Sequence, residues 1–281
     1  MITADSLETM TDFAKSGLTA VDWMRGNRTR FCRDVVAPMQ LIMTEVERTW
    51  GDDFQAEFCR PHTAAGVRLH RDRMYLGAVC RTPAWRHAAT AAWVPNGFSR
   101  SPQSVPRIEL RLGYGYWEMG FALGKSGLPW MTPMVANLLP HRALLERLLN
   151  PLMGGHRFHW GSRDIQRDVT PDGHGIYEIW EPYDADQFFD GITAWDRPIS
   201  ATDATAWDLL PTTEIQTLAE LIVTMVRRVY PLMLLTLAVD SETAVRAIEN
   251  YLNMLAKEHP TLLSVTRPKP DKIIQFPGTS R

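Results

Sequence analysis

Nine arginines fall between residues 60 and 111, at positions 60, 68, 71, 73, 81, 86, 100, 107 and 111. The same segment contains no lysine and only two acidic residues, Asp72 and Glu109, so its net charge is +7. A guanidinium fork matches the oxygens of phosphate and carboxylate groups, so several arginines converging on one surface would bind an anion. A solvated basic sheet face, paired with acidic residues elsewhere in the chain, would give the same pattern.

The predicted anion site combines arginines from strands and turns with the residues beside them. Its members are Arg68, Arg71, Arg73, Arg107, Glu109, Arg111, Tyr114 and Tyr116. Aromatic rings interleaved with arginines can stack on bases or sugars. The predicted partner is therefore an anionic ligand, either nucleic acid or a phosphorylated small molecule.

A weaker candidate is a metal site at His156 and His159, with two aspartates and His174 downstream. Two histidines and a carboxylate are the donors that Zn or Fe(II) sites use. On a strand, however, positions three apart face opposite sides, so both imidazoles would reach one metal only across a turn. An ordinary pair of loop histidines is the favoured interpretation, and no metal or cofactor is predicted.

Four glutamates are candidates for acid–base chemistry: Glu109, Glu118, Glu178 and Glu181. Glu109 and Arg111 would share one side of a strand, which favours a structural ion pair over a general base. A hydrolase or nuclease-like enzyme using Glu109, Glu178 and the two histidines stays an alternative. A structural or interaction protein with no ligand is a third.

The chain contains none of the motifs GxGxxG, HExxH, GxSxG or CxxC. Gly124-Lys-Ser-Gly lacks the upstream glycine of a phosphate loop, and Pro129 follows too soon for the helix of such a loop. Cys32 is predicted to pack in the core beside Phe31 rather than to act as a nucleophile. Whether the chain is an enzyme is left open by these residues.

The composition of the 281 residues is typical of globular proteins, with 45% hydrophobic and 22% charged residues. Its three cysteines are odd in number and widely spaced, which argues against a disulfide framework. No apolar run approaches the roughly 18–20 residues of a membrane helix, and no signal-peptide pattern opens the chain. These features predict a cytoplasmic protein with no membrane partner, and they do not indicate its oligomeric state.

Helical periodicity predicts three segments before the arginine-rich region. The first begins with Asp5 or Ser6 as its cap, and the second begins at Thr19 and is interrupted at Gly26–Asn27. The third spans residues 29–50 and should kink at Pro38.

Residues 107–124 predict an antiparallel hairpin. Apolar residues alternate with Glu109 and Arg111 in its first half and alternate again over residues 117–121. Gly113 and Gly115 stand between the halves and can supply the positive φ of a tight turn. Shorter strands are predicted at 54–59, 67–69 and 75–80, while 88–94 fits either a helix or a strand.

The C-terminal half returns to helical periodicity. A helix over 129–149 is split at Pro140, a longer one from about residue 213 is bent at Pro231, and the last runs from Ser241 to about Lys257. The predicted fold class is α+β, with a central, mostly antiparallel sheet flanked by an N-terminal helical block and C-terminal helices. It forms a single domain over 1–259, followed by a proline-rich tail over 260–281.

Several short motifs occur in a familiar order. They are Trp23-Met24, Asn27-Arg28, Phe31, Val36-Ala37-Pro38-Met39, Val67 to Arg73, Gly113 to Met119 and Tyr230-Pro231-Leu232. In these motifs the chain resembles the uncharacterised bacterial family known as domain of unknown function 2461, over about residues 6–239. The resemblance implies a shared order of elements, and it implies no activity, cofactor or partner.

Overall fold

The computed structural model describes residues 2–18, 20–54, 69–71, 75–77, 88–95, 105–112, 117–123, 128–153, 204–209 and 215–263. Most of these residues are helical, and the remaining regular structure is antiparallel strand. The predicted mixture of helices and antiparallel strands is confirmed at this level. Within these ranges, apolar side chains from the helices and the strands join in one large buried core.

The first helix, α1 (Ala4–Lys15), is capped by Thr3, so the prediction of Asp5 or Ser6 as the cap is wrong. The Thr3 hydroxyl accepts a hydrogen bond from the Ser6 amide (3.3 Å), and the Ser6 hydroxyl accepts one from the Thr3 amide (3.2 Å). This reciprocal capping box satisfies amides for which the first turn offers no helical acceptor. Ser6 therefore has a capping role, but from the third helical position.

Two further helices follow as one irregular stretch: α2 (Ala20–Phe31), a π-helical turn (Cys32–Val36) and α3 (Ala37–Phe54). The expected interruption at Gly26–Asn27 is wrong, because α2 runs through both residues. The Asn27 amide group donates to the Trp23 carbonyl at 3.0 Å, so this polar side chain is satisfied within the helix.

Pro38 accounts for the π-helical turn. A proline has no N–H to donate to the carbonyl four residues earlier, that of Asp34, and its ring clashes there in a regular α-helix. The chain instead widens, and the Ala37 amide donates to the Cys32 carbonyl five residues back. The irregularity predicted at Pro38 is therefore present as a π-helical turn that directly precedes it.

Six strands form one antiparallel sheet: β1 (Leu69–Arg71), β2 (Tyr75–Gly77), β3 (Ala88–Pro95), β4 (Arg107–Leu112), β5 (Trp117–Ala122) and β6 (Ala204–Leu209). Strands β4 and β5 pair from Arg107↔Ala122 to Leu112↔Trp117, which confirms the predicted hairpin. On either side of it, β3 pairs with β4 and β6 pairs with β5. Both hairpin strands thus have a neighbour along each edge.

Strands β1 and β2 both pair with β3, along the same edge of that strand. Arg71 of β1 pairs with Trp93, and Tyr75 of β2 pairs with Thr90. Three residues lie between Arg71 and Tyr75, but only two, Ala91 and Ala92, lie between their partners on β3. The pairing register therefore shifts by one residue between β1 and β2. The alanine-rich segment 88–94, which fits either a helix or a strand, is a strand because it has partners on both edges.

The helices α4 (Leu128–Leu138) and α5 (Arg142–Met153) are joined by a 3-10 turn (Leu139–His141). Pro140 lies in this turn, which confirms the predicted split of the helix. The prediction ended the second half at residue 149, whereas α5 continues through Pro151. Of the strand predicted at 54–59, Phe54 closes α3, and residues 55–59 lie outside the described ranges.

Two C-terminal helices, α6 (Ile215–Leu237) and α7 (Ser241–Glu258), supply much of the core. Pro231 lies inside α6, so the helix provides no N–H for the Arg227 carbonyl. The Tyr251 hydroxyl of α7 donates to that carbonyl at 3.2 Å and replaces the missing helical donor. The predicted disturbance at Pro231 is thus compensated by a side chain from the neighbouring helix.

The C-terminal end of α6 is closed by buried Asn137, from α4. Its Nδ2 donates to the carbonyls of Leu235 and Ala238, at 2.9 Å each. The last carbonyls of a helix lack intrahelical donors, so one amide here satisfies two of them and attaches α4 to α6. Asp240 then caps α7, because its carboxylate accepts from the Thr243 amide at 2.7 Å.

The buried face of α7 is the one that periodicity predicts. Val245, Ile248, Leu252 and Leu255 are all buried. Beyond α7, Pro260–Leu263 forms a 3-10 helix that packs against the core through partly buried leucines. Residues 264–281 lie outside the described ranges.

Candidate functional site

Residues 107–110 of β4 are buried on both sides of the strand, and the two sides differ in chemistry. Ile108, Leu110 and Leu112 have no exposed surface and join the apolar core. Arg107 and Glu109 alternate with them and are only 6% and 3% exposed. A strand that is apolar on one side and buries a cation and an anion on the other is a candidate for more than packing, because unpaired burial of either charge is costly.

The two buried charges are bonded to each other. Nε of Arg107 donates to Oε1 of Glu109, and Nη1 of Arg107 lies 3.4 Å from the Val105 carbonyl. Residues two apart on a strand project to the same side, so the strand alone brings the guanidinium and the carboxylate together. This pair is accordingly local and needs no second element to form.

The residues beside Glu109 in the sheet are small. Ala92 of β3 and Gly120 of β5 are its register partners, and Arg107 is paired with Ala122. Gly120 contributes no side chain at its position beside Glu109. A glycine in the interior of a strand is typical of a place where a ligand or another backbone approaches closely.

Arg111 belongs to the same side of the sheet. It is two residues from Glu109 along β4, and it pairs with Thr90 of β3 and Glu118 of β5. The register therefore brings Arg107, Glu109 and Arg111 to one side of β4, as the alternation of the sequence predicts. We call these three residues the charged row.

Arg71 stands two strands away from the charged row. It pairs with Trp93 of β3, which in turn pairs with Ile108 of β4. The convergence of Arg71 with Arg107 or Arg111 stays a prediction. The other predicted residues lie outside the described ranges: Arg68, Arg73, Tyr114, Tyr116, His156, His159, Glu178 and Glu181.

A second charged group, which the sequence did not single out, surrounds Asp34 in the π-helical turn. Asp34 is 5% exposed, and its carboxylate accepts from the Thr9 hydroxyl at 3.0 Å. Nε and Nη2 of Arg33 donate to its two oxygens at 2.5 and 2.9 Å. Arg30 lies 3.7 Å from the same carboxylate and bonds Asp12 of α1 at 2.5 Å.

These donors determine the protonation of Asp34. The Arg33 hydrogen bonds, opposed by desolvation and assisted by the Thr9 hydroxyl, hold the pKa of the Asp34 carboxyl below its usual range. The ionised form therefore predominates near neutrality and joins α1 to the π-helical turn. The sequence signal for this buried acid was its position three residues after Phe31, on the side that the apolar periodicity assigns to the core.

Cys32 corrects another prediction, because it is exposed rather than packed in the core. It begins the π-helical turn, and its neighbour Phe31 takes the buried position instead, at 5% exposure. Adjacent residues of a helix point about 100° apart, so both could not face the same core.

Within the described ranges, no group of three or more His, Cys, Asp or Glu side chains is placed to hold a metal ion. No described helix combines the length and apolar character needed to cross a membrane. Comparisons of the chain with protein-family models, curated proteins and solved structures find no match.

Proposed function

We propose that the chain binds a small anionic ligand, such as a phosphorylated metabolite, beside the charged row Arg107, Glu109 and Arg111. The observation that supports this is the burial of Arg107 and Glu109 together on a strand whose opposite side already supplies the core. Replacing a buried ion pair with apolar residues is often neutral or stabilising, so folding alone gives little reason to keep one.

Burial also decides the size of the proposed ligand. Arg107 is 6% exposed and Glu109 is 3% exposed, so a polymer lying on the outer surface would not reach them. Contacts to a nucleic-acid backbone come from exposed lysine and arginine side chains. A small molecule fits this burial better than a nucleic acid does.

In this proposal the two arginines hold the anion and Glu109 orients them. A guanidinium offers five N–H donors, and Glu109 engages Nε of Arg107. Arg111, two residues along the strand, would add a second fork for the ligand's phosphate or carboxylate oxygens. Because Glu109 is engaged with Arg107, this arrangement favours ligand binding over an enzyme in which Glu109 is a general base.

Thermal unfolding with and without small anions tests the proposal. We expect inorganic phosphate, pyrophosphate or a nucleoside monophosphate to stabilise the protein, by about 2.7 kcal/mol at a hundred times the Kd. Arg111→Gln should remove most of that stabilisation. Arg147→Gln, on the exposed side of α5, is the matched control and should leave it unchanged. Equal stabilisation of wild type and Arg111→Gln by every anion would contradict the site.

The nucleic-acid alternative has its own test. Filter binding to single- and double-stranded nucleic acid at two salt concentrations would reveal phosphate contacts first at low salt. Retention at low salt that Arg111→Gln abolishes would replace the small-molecule proposal with a nucleic-acid one. We also propose, as the setting of this site, that the sheet is the centre of a single α+β domain over 1–259 related to domain of unknown function 2461.

A further inference from the structure

Two side-chain contacts hold the turn that joins α4 to α5 beside the turn that joins α6 to α7. Before the first turn, Nδ2 of Asn137 donates to the Ala238 carbonyl at 2.9 Å. At its end, Nε2 of His141 lies 3.0 Å from Oε1 of Glu242, in the first turn of α7. The residues between these contacts in the two segments therefore lie together at one end of the helices.

Apolar side chains are exposed at this end of the helices. Val239 is 86% exposed and Leu139 is 53% exposed, and Pro140 is exposed beside Leu139. Among the large apolar residues of the described ranges, Val239 has the greatest exposure. We call Leu139, Pro140 and Val239 the turn patch. Single exposed apolar residues are ordinary, whereas a group of them from two elements is typical of a contact surface.

The size of the turn patch limits what can cover it. A stable interface between two folded proteins uses about 20–30 residues on each side, and the turn patch is far smaller than that. The residues that follow Val239 on the surface, Asp240 and Glu242, are charged and exposed. A short apolar segment of the same molecule is the better occupant, because a tether gives it an effective concentration in the millimolar range.

The sequence supplies such a segment after the 3-10 helix that ends at Leu263. Ile273, Ile274 and Phe276 fall together in the run Ile-Ile-Gln-Phe. In an extended chain, residues two apart project to the same side, so Ile274 and Phe276 would present one apolar surface. Two side chains of this size match the turn patch.

The length of the intervening chain also fits. The turn patch lies at the beginning of α7, which has 18 residues and is therefore about 27 Å long, and Leu263 follows its far end. The ten residues 264–273 can span at most about 33–36 Å. Pro268 and Pro270 favour an extended backbone in that stretch. Residues 273–276 can therefore reach the turn patch.

We propose that residues 273–276 dock on the turn patch of the same molecule, where Ile274 and Phe276 cover Leu139 and Val239. The contact removes apolar side chains of both segments from water, which is its driving force. It needs no charge pair, so added salt should not weaken it.

Methyl nuclear magnetic resonance of the full chain, labelled at Ile, Leu and Val, tests the contact. We expect nuclear Overhauser effects that join Ile274 to Leu139 and Val239 and that persist in added NaCl. Ile274→Ser/Phe276→Ser should abolish the contact and shift the methyl signals of Leu139 and Val239. The methyl signal of the core residue Ile248 should stay in place, which shows that the variant is folded.

The matched control is Val265→Ser, an apolar-to-polar change in the same segment. Val265 is two residues beyond Leu263 and too close to it to reach the turn patch, so the Overhauser effects should be intact. The proposal is overturned if the wild type shows no effect between Ile274 and the turn patch, or if Val265→Ser shifts the patch signals as much as the double variant. It is also overturned if the effects arise between copies in a mixture of Ile-labelled and Leu/Val-labelled chains, because the segment would then dock on a second copy.

Discussion

Asp34 and Glu109 are both buried carboxylates, and each is bonded to an arginine. They differ in what those bonds join. The Asp34 carboxylate accepts hydrogen bonds from Thr9 of α1 and from the adjacent Arg33, so it connects α1 to the π-helical turn. Glu109 is bonded to Arg107, two residues away on the same strand.

The arginine partners differ as well. The Arg33 side chain is 73% exposed, so it brings its charge to Asp34 from solvent and loses little hydration. The Arg107 side chain is 8% exposed, so both members of that pair are taken out of water. Asp34 thus connects residues distant in sequence, and its exposed arginine partner keeps the desolvation cost low. In the Arg107–Glu109 pair both charges are desolvated, and the bond joins residues two apart.

This difference separates the structural role of Asp34 from the ligand-binding role that we propose for the strand pair. Asp34 is explained by the packing of α1 on the π-helical turn. The bond between Glu109 and Arg107 lies within one strand, and the ligand-binding proposal accounts for the burial of both charges. Variants that break each carboxylate–arginine group test that division.

The largest effect is expected from Arg107→Met. It leaves the Glu109 carboxylate buried without its guanidinium, and breaking one side of a buried pair costs about 3–5 kcal/mol of unfolding free energy. Urea denaturation measures the loss. The double variant Arg107→Met/Glu109→Leu should recover to within about 1 kcal/mol of wild type, since an apolar pair replaces a buried ionic one at little cost. Stabilisation by added anions, which we expect in the wild type, should be lost in both variants. A double variant as unstable as the single one would show that the pair is itself structural.

Asp34→Asn should have the next largest effect, a loss of about 2 kcal/mol. Asparagine cannot accept two charge-assisted bonds from Arg33, although the exposure of that arginine moderates the loss. Urea denaturation again gives the free energy. Asp22→Asn is the matched control, because Asp22 pairs with an arginine on the exposed side of α2 and its loss should cost less than about 0.5 kcal/mol. Equal costs in the two variants would remove the distinction between a buried connection and a surface pair.

The two carboxylates also show how far the sequence predicts this molecule. Alternation along 107–112 predicts the hairpin and assigns Glu109 and Arg111 to one side of it, because side-chain direction on a strand depends only on local period. The alternation cannot predict the position of Arg71 in the sheet, which depends on pairing with β3 more than fifteen residues away. Pairing between distant segments is set by the whole sheet.

The helices show the same limit. Periodicity predicts the buried face of α7, and Pro38 predicts an irregularity, since both follow from backbone geometry. The Thr3 cap and the exposure of Cys32 were missed. Both depend on where a turn begins, and a shift of one residue rotates each side chain by about 100°. Asp34 was missed because its partner Thr9 is 25 residues away.

Tyr251→Phe extends the comparison to an uncharged connection between two helices, which this variant removes. The variant removes only the hydroxyl that donates to the Arg227 carbonyl and keeps the ring against Tyr230, at a centroid distance of 5.0 Å. We expect a loss of about 1–2 kcal/mol, because the variant removes the hydroxyl donor at a turn where Pro231 provides no helical N–H. A loss similar to that of Asp34→Asn would indicate that the connection matters more than the charge.

Pro231→Ala provides the control for that loss. Alanine restores an N–H that can donate to the Arg227 carbonyl, so Tyr251→Phe should cost less in this background than in wild type. The double-mutant cycle isolates the coupling between the two positions. An unchanged cost would mean that the tyrosine hydroxyl does not substitute for the missing helical donor.

The smallest effect is the pH dependence of the Asp34 contribution. Because the Arg33 hydrogen bonds lower the pKa of this carboxyl in the folded state, the ionised form stabilises the fold above the unfolded pKa of about 3.9. That stabilisation is lost as the pH falls from there through the lower folded pKa. The difference in unfolding free energy between wild type and Asp34→Asn should therefore be constant above about pH 5 and shrink below about pH 4. Asp240, whose pKa is lowered mainly by the Thr243 amide, titrates equally in both proteins and cancels. Urea denaturation at several pH values measures the difference, and a constant difference down to pH 3 would show that the Asp34 charge adds nothing to its hydrogen bonds.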